Sequence, residues 1–315
     1  MFSVQRNVCK NVSLSNKING KFSRMFSAAA YTGRYEFETL SVSSPCDHVL
    51  QVELNRPDIC NAMSKDMLRE LLECFNRVQD DKHCRAVVLC GAGKVFSAGL
   101  DFEDMKDMVT QMAGQNGVPQ MDVARRAKFL RAMIHMLQEP INSLERCGKP
   151  VISAVNGGCI GAAISLISAA DIRYCAQDSF FQMKEVDVGM VTDMGALQRL
   201  PDIIGNESVL HELIFTARKM SANEAKEVGL VSKVFADAET TRQASIELAQ
   251  QIASKSPVAV QGSKICLKQN RNQHVQEGLK FMALWNMAML QSEDFVSGLT
   301  AVSSKSEKVP IFADL

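Results

Sequence analysis

The chain has 315 residues, long enough for one large domain or two modest ones with a sizeable core. Lys plus Arg and Asp plus Glu number 35 each, so the formal net charge is zero and no general pull toward nucleic acid or an anionic membrane is implied. The one uncharged stretch of spanning length, Val151–Ala170, contains Asn156, Gly157, Gly158, Gly161 and three serines, and reads as strand, turn and helix rather than a membrane span.

The first 34 residues carry Arg6, Lys10, Lys17, Lys21, Arg24 and Arg34 among Ser, Asn and Phe, with no Asp or Glu. Basic, Ser-rich and acid-free is the composition of a mitochondrial transit peptide, and residues 1–34 are set apart as a leader on that ground. An ordinary disordered tail is the plainer alternative. The C-terminal Ala313-Asp314-Leu315 is not an SKL-type peroxisomal address, which favours the mitochondrial matrix over the peroxisome.

Taken in order, Tyr35–Leu54 alternates and predicts a hairpin of strands broken near Ser44-Pro45-Cys46. Asn55–Asp58 is a turn. Ser64 caps a predicted helix to about Val78, with Met67, Leu68, Leu71, Leu72 and Phe75 on one face. Arg85–Gly91 reads as a buried parallel strand. Residues 101–122 form a Met-rich loop with a little helix, whose Met105, Met108, Met112 and Met121 suit an acyl channel or plain core packing equally. A helix over Val123–Cys147 is predicted to kink or break at Pro140. Then come a strand at Val151–Val155, a helix after Gly161 and a strand at Asp171–Cys175. Helices follow over Asn206–Phe215, Ser221–Val228, Thr240–Lys255, Pro257–Gln269 and Val275–Leu299. Repeated β-then-α units followed by helices predict an α/β core at 35–256 and a helical subdomain at 257–315.

The ten cysteines form no CxxC pair, and His83 beside Cys84 lacks a second ligand pair, so they read as reduced intracellular thiols rather than a metal or redox site. His48, His83, His135, His211 and His274 share no motif. Ser97 resembles a nucleophile only superficially, since no motif places a His to activate it.

Chemistry concentrates in three segments. KVFSAGLDF (Lys94–Phe102) and VISAVNGGCIGAAIS (Val151–Ser165) each run from an apolar strand into a small-residue turn, a junction that aims backbone N–H groups at an anionic oxygen. Asp171–Leu200 places Glu185 and Asp193 eight residues apart in an apolar, Gly-punctuated stretch. Two carboxylates there could move a proton along a substrate, and a wall of Val186, Val188, Met190, Val191 and Met194 would raise their pKa values. On spacing alone, the plainer readings are two tight turns, Asp187 and Asp193 as turn caps, and Glu185 as a surface acid.

NRPDICNAMS (Asn55–Ser64), KVFSAGLDF, NGGCIGAAIS, the DIRYC strand and FTARKMSANEAKEVGLVSKVF (Phe215–Phe235) together resemble the crotonase, or enoyl-CoA hydratase/isomerase, superfamily, from about Tyr35 to the end. Within it, QMKEVDVGMVTDMGALQRLP, SPVAVQGSK and LWNMAMLQSED look most like the Δ3,5-Δ2,4-dienoyl-CoA isomerases of unsaturated fatty acid β-oxidation. The resemblance implies a spiral of ββα units, an acyl-CoA thioester substrate, no separate cofactor and a homotrimer or homohexamer. It implies an oxyanion hole from the amides of Leu100 and Ala162, with Ala98, Gly99, Asp101 and Phe102 beside the substrate. Many relatives have three glycines where this chain has Gly161-Ala162-Ala163; alanine keeps the donor but adds a Cβ.

By the same resemblance Glu185 serves the α-carbon of the substrate, and Asp193 a carbon farther along the acyl chain. A third acidic position of the family is occupied here by Ser165, whose hydroxyl cannot act as the acid/base that water addition requires. Competing readings are a Δ3,Δ2-enoyl-CoA isomerase, against which Asp193 counts, an RNA-binding relative, and a catalytically silent scaffold. The helix SKDMLRELLECFNRVQDD has more acids than bases and gives the RNA-binding reading no support. The sequence does not single out which Lys or Arg would meet the CoA phosphates.

Overall fold

A computed structural model of the chain describes residues 35–104, 106 and 121–303. The expected leader and most of the Met-rich loop lie outside the described residues. β1 (Leu40–Cys46) and β2 (Val49–Leu54) pair antiparallel as predicted, but the chain turns at Asp47-His48 rather than at Pro45. Pro45 stays inside β1 because that strand is at the sheet edge and its register shifts between Ser43 and Cys46, where a missing N–H breaks no ladder.

β3 (Ala86–Gly91) and β4 (Val151–Val155) are buried along their whole length, as expected of central parallel strands. With β6 (Ile172–Ala176) and β9 (Lys233–Phe235) they complete a six-stranded sheet, ordered β1-β2-β3-β4-β6-β9 and parallel from β2 onward. A second, three-stranded sheet joins β5 (Gly158–Ile160), β7 (Phe180–Gln182) and β8 (Met220–Ser221). Its strands are two or three residues long, too short for an alternating pattern to announce them.

Ser64 caps α1 (Lys65–Asp80) by accepting from the Met67 amide. α2 (Val123–Arg146) begins at its Asp122 cap and runs through Pro140 without a break. The proline removes one intrahelical bond, but buried Gln138, Ile141, Asn142, Ser143 and Leu144 hold that part of the helix in the core. α3 (Ala162–Ala169) is buried at every residue. α4 (Ala196–Arg199), α5 (Glu207–Thr216) and α6 (Ala222–Glu227) are short, and α7 (Ala238–Ala253) packs Ala249 and Ala253 against Val49, Val88, Ile152 and Ala154 of the sheet.

The two helices predicted over 257–299 divide elsewhere. α8 (Pro257–Met289) is one 33-residue helix, and the break falls at Leu290–Ser292, before α9 (Glu293–Ser303). No Gly or Pro interrupts Gln269–Val275, and polar residues alone do not end a helix. The real break carries its own stop: the Ser292 hydroxyl accepts from the Phe295 amide and starts the next helix.

A buried charge network fastens α8 to the core. Arg199, fully buried on α4, pairs with Glu145 at 2.9 Å and donates to Asn142 Oδ1 at 2.8 Å. Lys268 on α8 reaches the other oxygen of Glu145 at 3.2 Å. Leu130 and Ile134 of α2, Val188, Met190, Ala283 of α8, and Phe295 and Leu299 of α9 form one apolar cluster, against which Leu100 and Phe102 pack. The C-terminal helices therefore close one side of the segment where the sequence concentrates its chemistry.

Candidate active site

The two small-residue turns are held side by side by a parallel bridge between Ser97 and Cys159. The Ser97 amide donates to Gly158 O at 3.2 Å, and the Ile160 amide donates to Ser97 O at 3.1 Å. Just beyond this bridge Gly99 takes φ +92°, and a Cβ there would stand 2.7 Å from Ile160 O and 3.4 Å from the Ala162 nitrogen. Only glycine lets the two turns approach this closely.

Ser97 sets the first turn. Its buried hydroxyl donates to Asn61 O at 2.8 Å and accepts from the Gly99 amide at 3.1 Å, so it is a structural group with its capacity engaged. The Met63 amide donates to Gly99 O and the Asp101 amide to Met63 O, which brackets the Leu100 peptide. In the second turn Gly161 adopts φ 55°, ψ −124°, and Ala162 opens α3. Neither the Leu100 nor the Ala162 amide has an acceptor among the described residues. Two unused donors, one at a helix N-terminus, thus stand on adjoining turns.

Both turns border a cavity lined by Ala98, Gly99, Leu100, Phe102, Gly161 and Ala162 on one side and Glu185, Val188, Met190, Asp193 and Met194 on the other. A second cavity shares Leu100, Met190 and Asp193 with the first and continues past Met63, Met133, Met136 and Leu137. Its methionines come from α2 and neighbouring segments. Of the expected apolar wall, Val188, Met190 and Met194 line the first cavity, whereas Val186 is exposed on the outer side of its 3-10 turn. Asp101 faces the second cavity, with its carboxylate paired to Arg56 at 2.9 Å.

Glu185 opens the 3-10 turn Glu185–Val188, and its backbone oxygen accepts from the Gly189 and Met190 amides. The residue is only half-buried, but its Oε2 is enclosed and has no hydrogen-bond partner. Burial pushes its pKa up to about 7, against the opposing effect of the Thr192 hydroxyl, with the nearby Asp193 charge adding to the rise. Asp193 is 4% exposed, and burial raises it to about 6 against the pull of a hydrogen bond from Asn286. Enclosed carboxyls titrating near neutrality are suited to exchanging protons.

Residues 46–309 match the enoyl-CoA hydratase/isomerase family. The chain belongs to that family. It is 49% identical over 299 residues to the human protein named mitochondrial Δ3,5-Δ2,4-dienoyl-CoA isomerase, an alignment covering 94% of this chain and 89% of the relative. With the rat protein of the same name it shares 50% identity over 277 residues, covering 88% and 83%. Among solved structures, an enoyl-CoA hydratase/isomerase from Mycobacterium paratuberculosis superposes with a TM-score of 0.72 at 30% identity, covering 84% of this chain and 99% of that one. The α/β fold expected of this family, with a helical C-terminal region, is the fold found.

Several residues at this family member's site carry no motif. Thr192 faces Glu185, Gln138 on α2 donates to Asp193 O at 2.7 Å, and Asn286 on α8 donates to Asp193 Oδ2 at 2.6 Å. Each acts across a long sequence separation or through an unremarkable residue type. Ser165 is fully buried on α3, and its hydroxyl has no partner among the described residues. The nine described cysteines make no disulfide with one another, and no cluster of metal-ligating side chains occurs among the described residues. Burial raises the thiols of Cys74 and Cys90 to about 12, away from thiolate reactivity.

Proposed function

We propose that this chain converts 3,5-dienoyl-CoA to 2,4-dienoyl-CoA by carrying a proton from C2 to C6 of the acyl chain. One observation carries the reading: Glu185 lies beside the two unused amides, whereas Asp193 stands where the first cavity meets the second. The thioester carbonyl would sit at the amides of Leu100 and Ala162, which gain strength as its oxygen becomes an enolate. That pose sets C2 against Glu185 and directs the acyl chain past Asp193 toward Met133 and Met136.

In the forward direction ionised Glu185 takes the C2 proton, and the electron pair delocalises through the diene into the carbonyl oxygen. Protonated Asp193 then delivers its proton to C6 as the double bonds settle at positions 2 and 4. One proton leaves the substrate and one enters, so the reaction is redox-neutral. Return of a proton from Glu185 to Asp193, directly or by solvent, resets the pair. The form that starts this direction carries one proton, on Asp193; because Glu185 holds a proton more tightly (about 7 against about 6), this is the less populated of the two one-proton forms.

Water addition finds less support, because Ser165 cannot serve as the second acid/base. A Δ3,Δ2-enoyl isomerase would not require Asp193. Matrix localisation is supported by the mitochondrial designation of the human and rat relatives and by the composition of residues 1–34. Exposed Phe281, Leu284 and Trp285 on α8 support self-association into a trimer or hexamer. The helical subdomain expected at 257–315 is read, over its described residues to Ser303, as the part that closes the site.

Purified protein incubated with a 3,5-dienoyl-CoA should develop the ultraviolet absorption of the conjugated 2,4-dienoyl thioester. Absence of that signal, with hydration of a 2-enoyl-CoA in its place, would refute the proposal.

A further inference from the structure

Asn286 lies on α8, 93 residues from Asp193 in sequence, and is fully buried. Its Nδ2 donates to Asp193 Oδ2 at 2.6 Å and to the Val191 carbonyl at 3.2 Å, while its Oδ1 has no partner among the described residues. Two acceptors on the nitrogen side fix the amide's orientation, since a flip would turn its oxygen toward a carboxylate and a carbonyl. Leaving an amide oxygen buried and unpaired costs free energy, so the arrangement has a structural cost that the bond to Asp193 offsets. Asn286 stands behind the cavity walls and lines neither of them.

We propose that Asn286 is the positioning residue for Asp193: it holds Oδ2 as a permanent acceptor and so reserves Oδ1 as the oxygen that exchanges the proton with the acyl chain. The inference rests on the reading of Asp193 as a proton carrier. An amide N–H donates strongly to a carboxylate or to the carbonyl oxygen of a carboxylic acid, and only weakly to the hydroxyl oxygen of that acid. The bond therefore persists in both protonation states provided the proton sits on Oδ1. Gln138 complements it by donating to the Asp193 backbone oxygen at 2.7 Å, which fixes the main chain while Asn286 fixes the side chain. In this way α8 becomes part of the reaction machinery.

The ionisable neighbours of Asp193 are few. Glu185 and Lys184 share the first cavity with it, and Lys65, Asp101 and Asp104 share the second. Asp101 is paired with Arg56, and Lys65 with Asp104. From α2 and α8 the groups that bond Asp193 are the uncharged Gln138 and Asn286. A neutral donor thus favours the ionised carboxylate without adding a counter-charge.

The test compares Asn286→Ala and Asn286→Leu, neither of which can donate a hydrogen bond, with the parent enzyme, using a 3,5-dienoyl-CoA and deuterated water. Both variants are checked for folding by near-ultraviolet circular dichroism. Loss of a charge-assisted donor should lower kcat by roughly tenfold to a hundredfold with KM little changed. It should also move the Asp193 limb of the pH profile upward by roughly one to two units. Exchange of the C2 hydrogen should persist while deuterium delivery to C6 falls. A folded Asn286→Leu protein with parental kcat and pH profile would overturn the assignment. The companion variant Asp193→Asn separates the two claims: if it retains full activity, the proton-carrier reading itself fails, and if it is inactive while both Asn286 variants behave as the parent, only the positioning role fails.

Discussion

Oε1 of Glu185 lies 3.5 Å from the point where a Cβ on Gly161 would stand. The proposed proton acceptor is thus packed against the turn whose next residue, Ala162, supplies an unused amide. Proton removal and stabilisation of the resulting enolate occupy one corner of the cavity, which is the arrangement enolisation of a thioester needs.

The backbone of that turn makes Gly161 a sensitive position. Gly161→Ala would place a side chain at φ 55°, ψ −124°, a backbone conformation that L residues rarely adopt, although its Cβ would meet Glu185 only in ordinary contact. Leu100→Pro removes one of the two donors, whose N–H serves no structural bond among the described residues. Loss of an oxyanion donor typically costs about 10²- to 10³-fold in kcat, and Leu100→Pro should show a fall of that order, while Gly161→Ala should lower kcat through the strained turn that aims the Ala162 amide. Steady-state kinetics on folded protein checks this, and parental kcat in Leu100→Pro would remove Leu100 from the site.

Ser165 yields a prediction of the opposite kind. Its hydroxyl is buried and unpartnered, so Ser165→Ala removes a desolvated polar group and should leave the protein equally stable or more stable by about 1 kcal/mol. Isomerase activity should be preserved. Denaturant titration and the dienoyl-CoA assay measure both outcomes, and a large loss of activity would give the hydroxyl a catalytic part that the proposed mechanism does not contain.

The two carboxylates should also leave a mark on stability. Glu185 is raised from 4.5 to about 7 by burial, so its folded-state pKa lies above its unfolded value. Its contribution is complete below about pH 4.5 and is lost as pH rises through 7, where the enclosed carboxylate must ionise. Glu185→Gln removes that cost. Its Tm should exceed the parent's at pH 8, by an amount equivalent to about 3 kcal/mol at most, and the gap should close near pH 4.5. A Tm difference independent of pH would show that Glu185 is not held in an enclosed site.

KVFSAGLDF and NGGCIGAAIS each have a strand-to-turn shape that can aim an amide, and Glu185 and Asp193 fall in an apolar stretch. On spacing alone, however, tight turns, turn caps and a surface acid are the plainer readings, and the family resemblance is what draws these residues into one proposed site. The positions of β3, β4 and α1 followed from apolar runs and a Ser cap. What escaped were features set by tertiary context. Pro140 does not break α2 because buried neighbours outweigh one lost hydrogen bond, and α8 runs through a polar segment that contains no breaker. The strands of the small sheet are defined by partners rather than by their own pattern. Asn286 and Gln138 are ordinary helical residues in sequence, and only packing brings them to Asp193.

The division of labour between the two acids is best tested by isotope exchange in Asp193→Asn. If Glu185 handles C2 and Asp193 handles C6, this variant should lose net isomerisation by roughly 10²- to 10⁴-fold, yet still exchange C2 hydrogen of a 3,5-dienoyl-CoA with deuterated water. Glu185→Gln, run beside it, should lose both signals, because the first proton is never removed. Full isomerase activity in the Asp193→Asn protein, with deuterium appearing normally at C6, would contradict the two-carboxylate shuttle and reduce Asp193 to a buried structural residue.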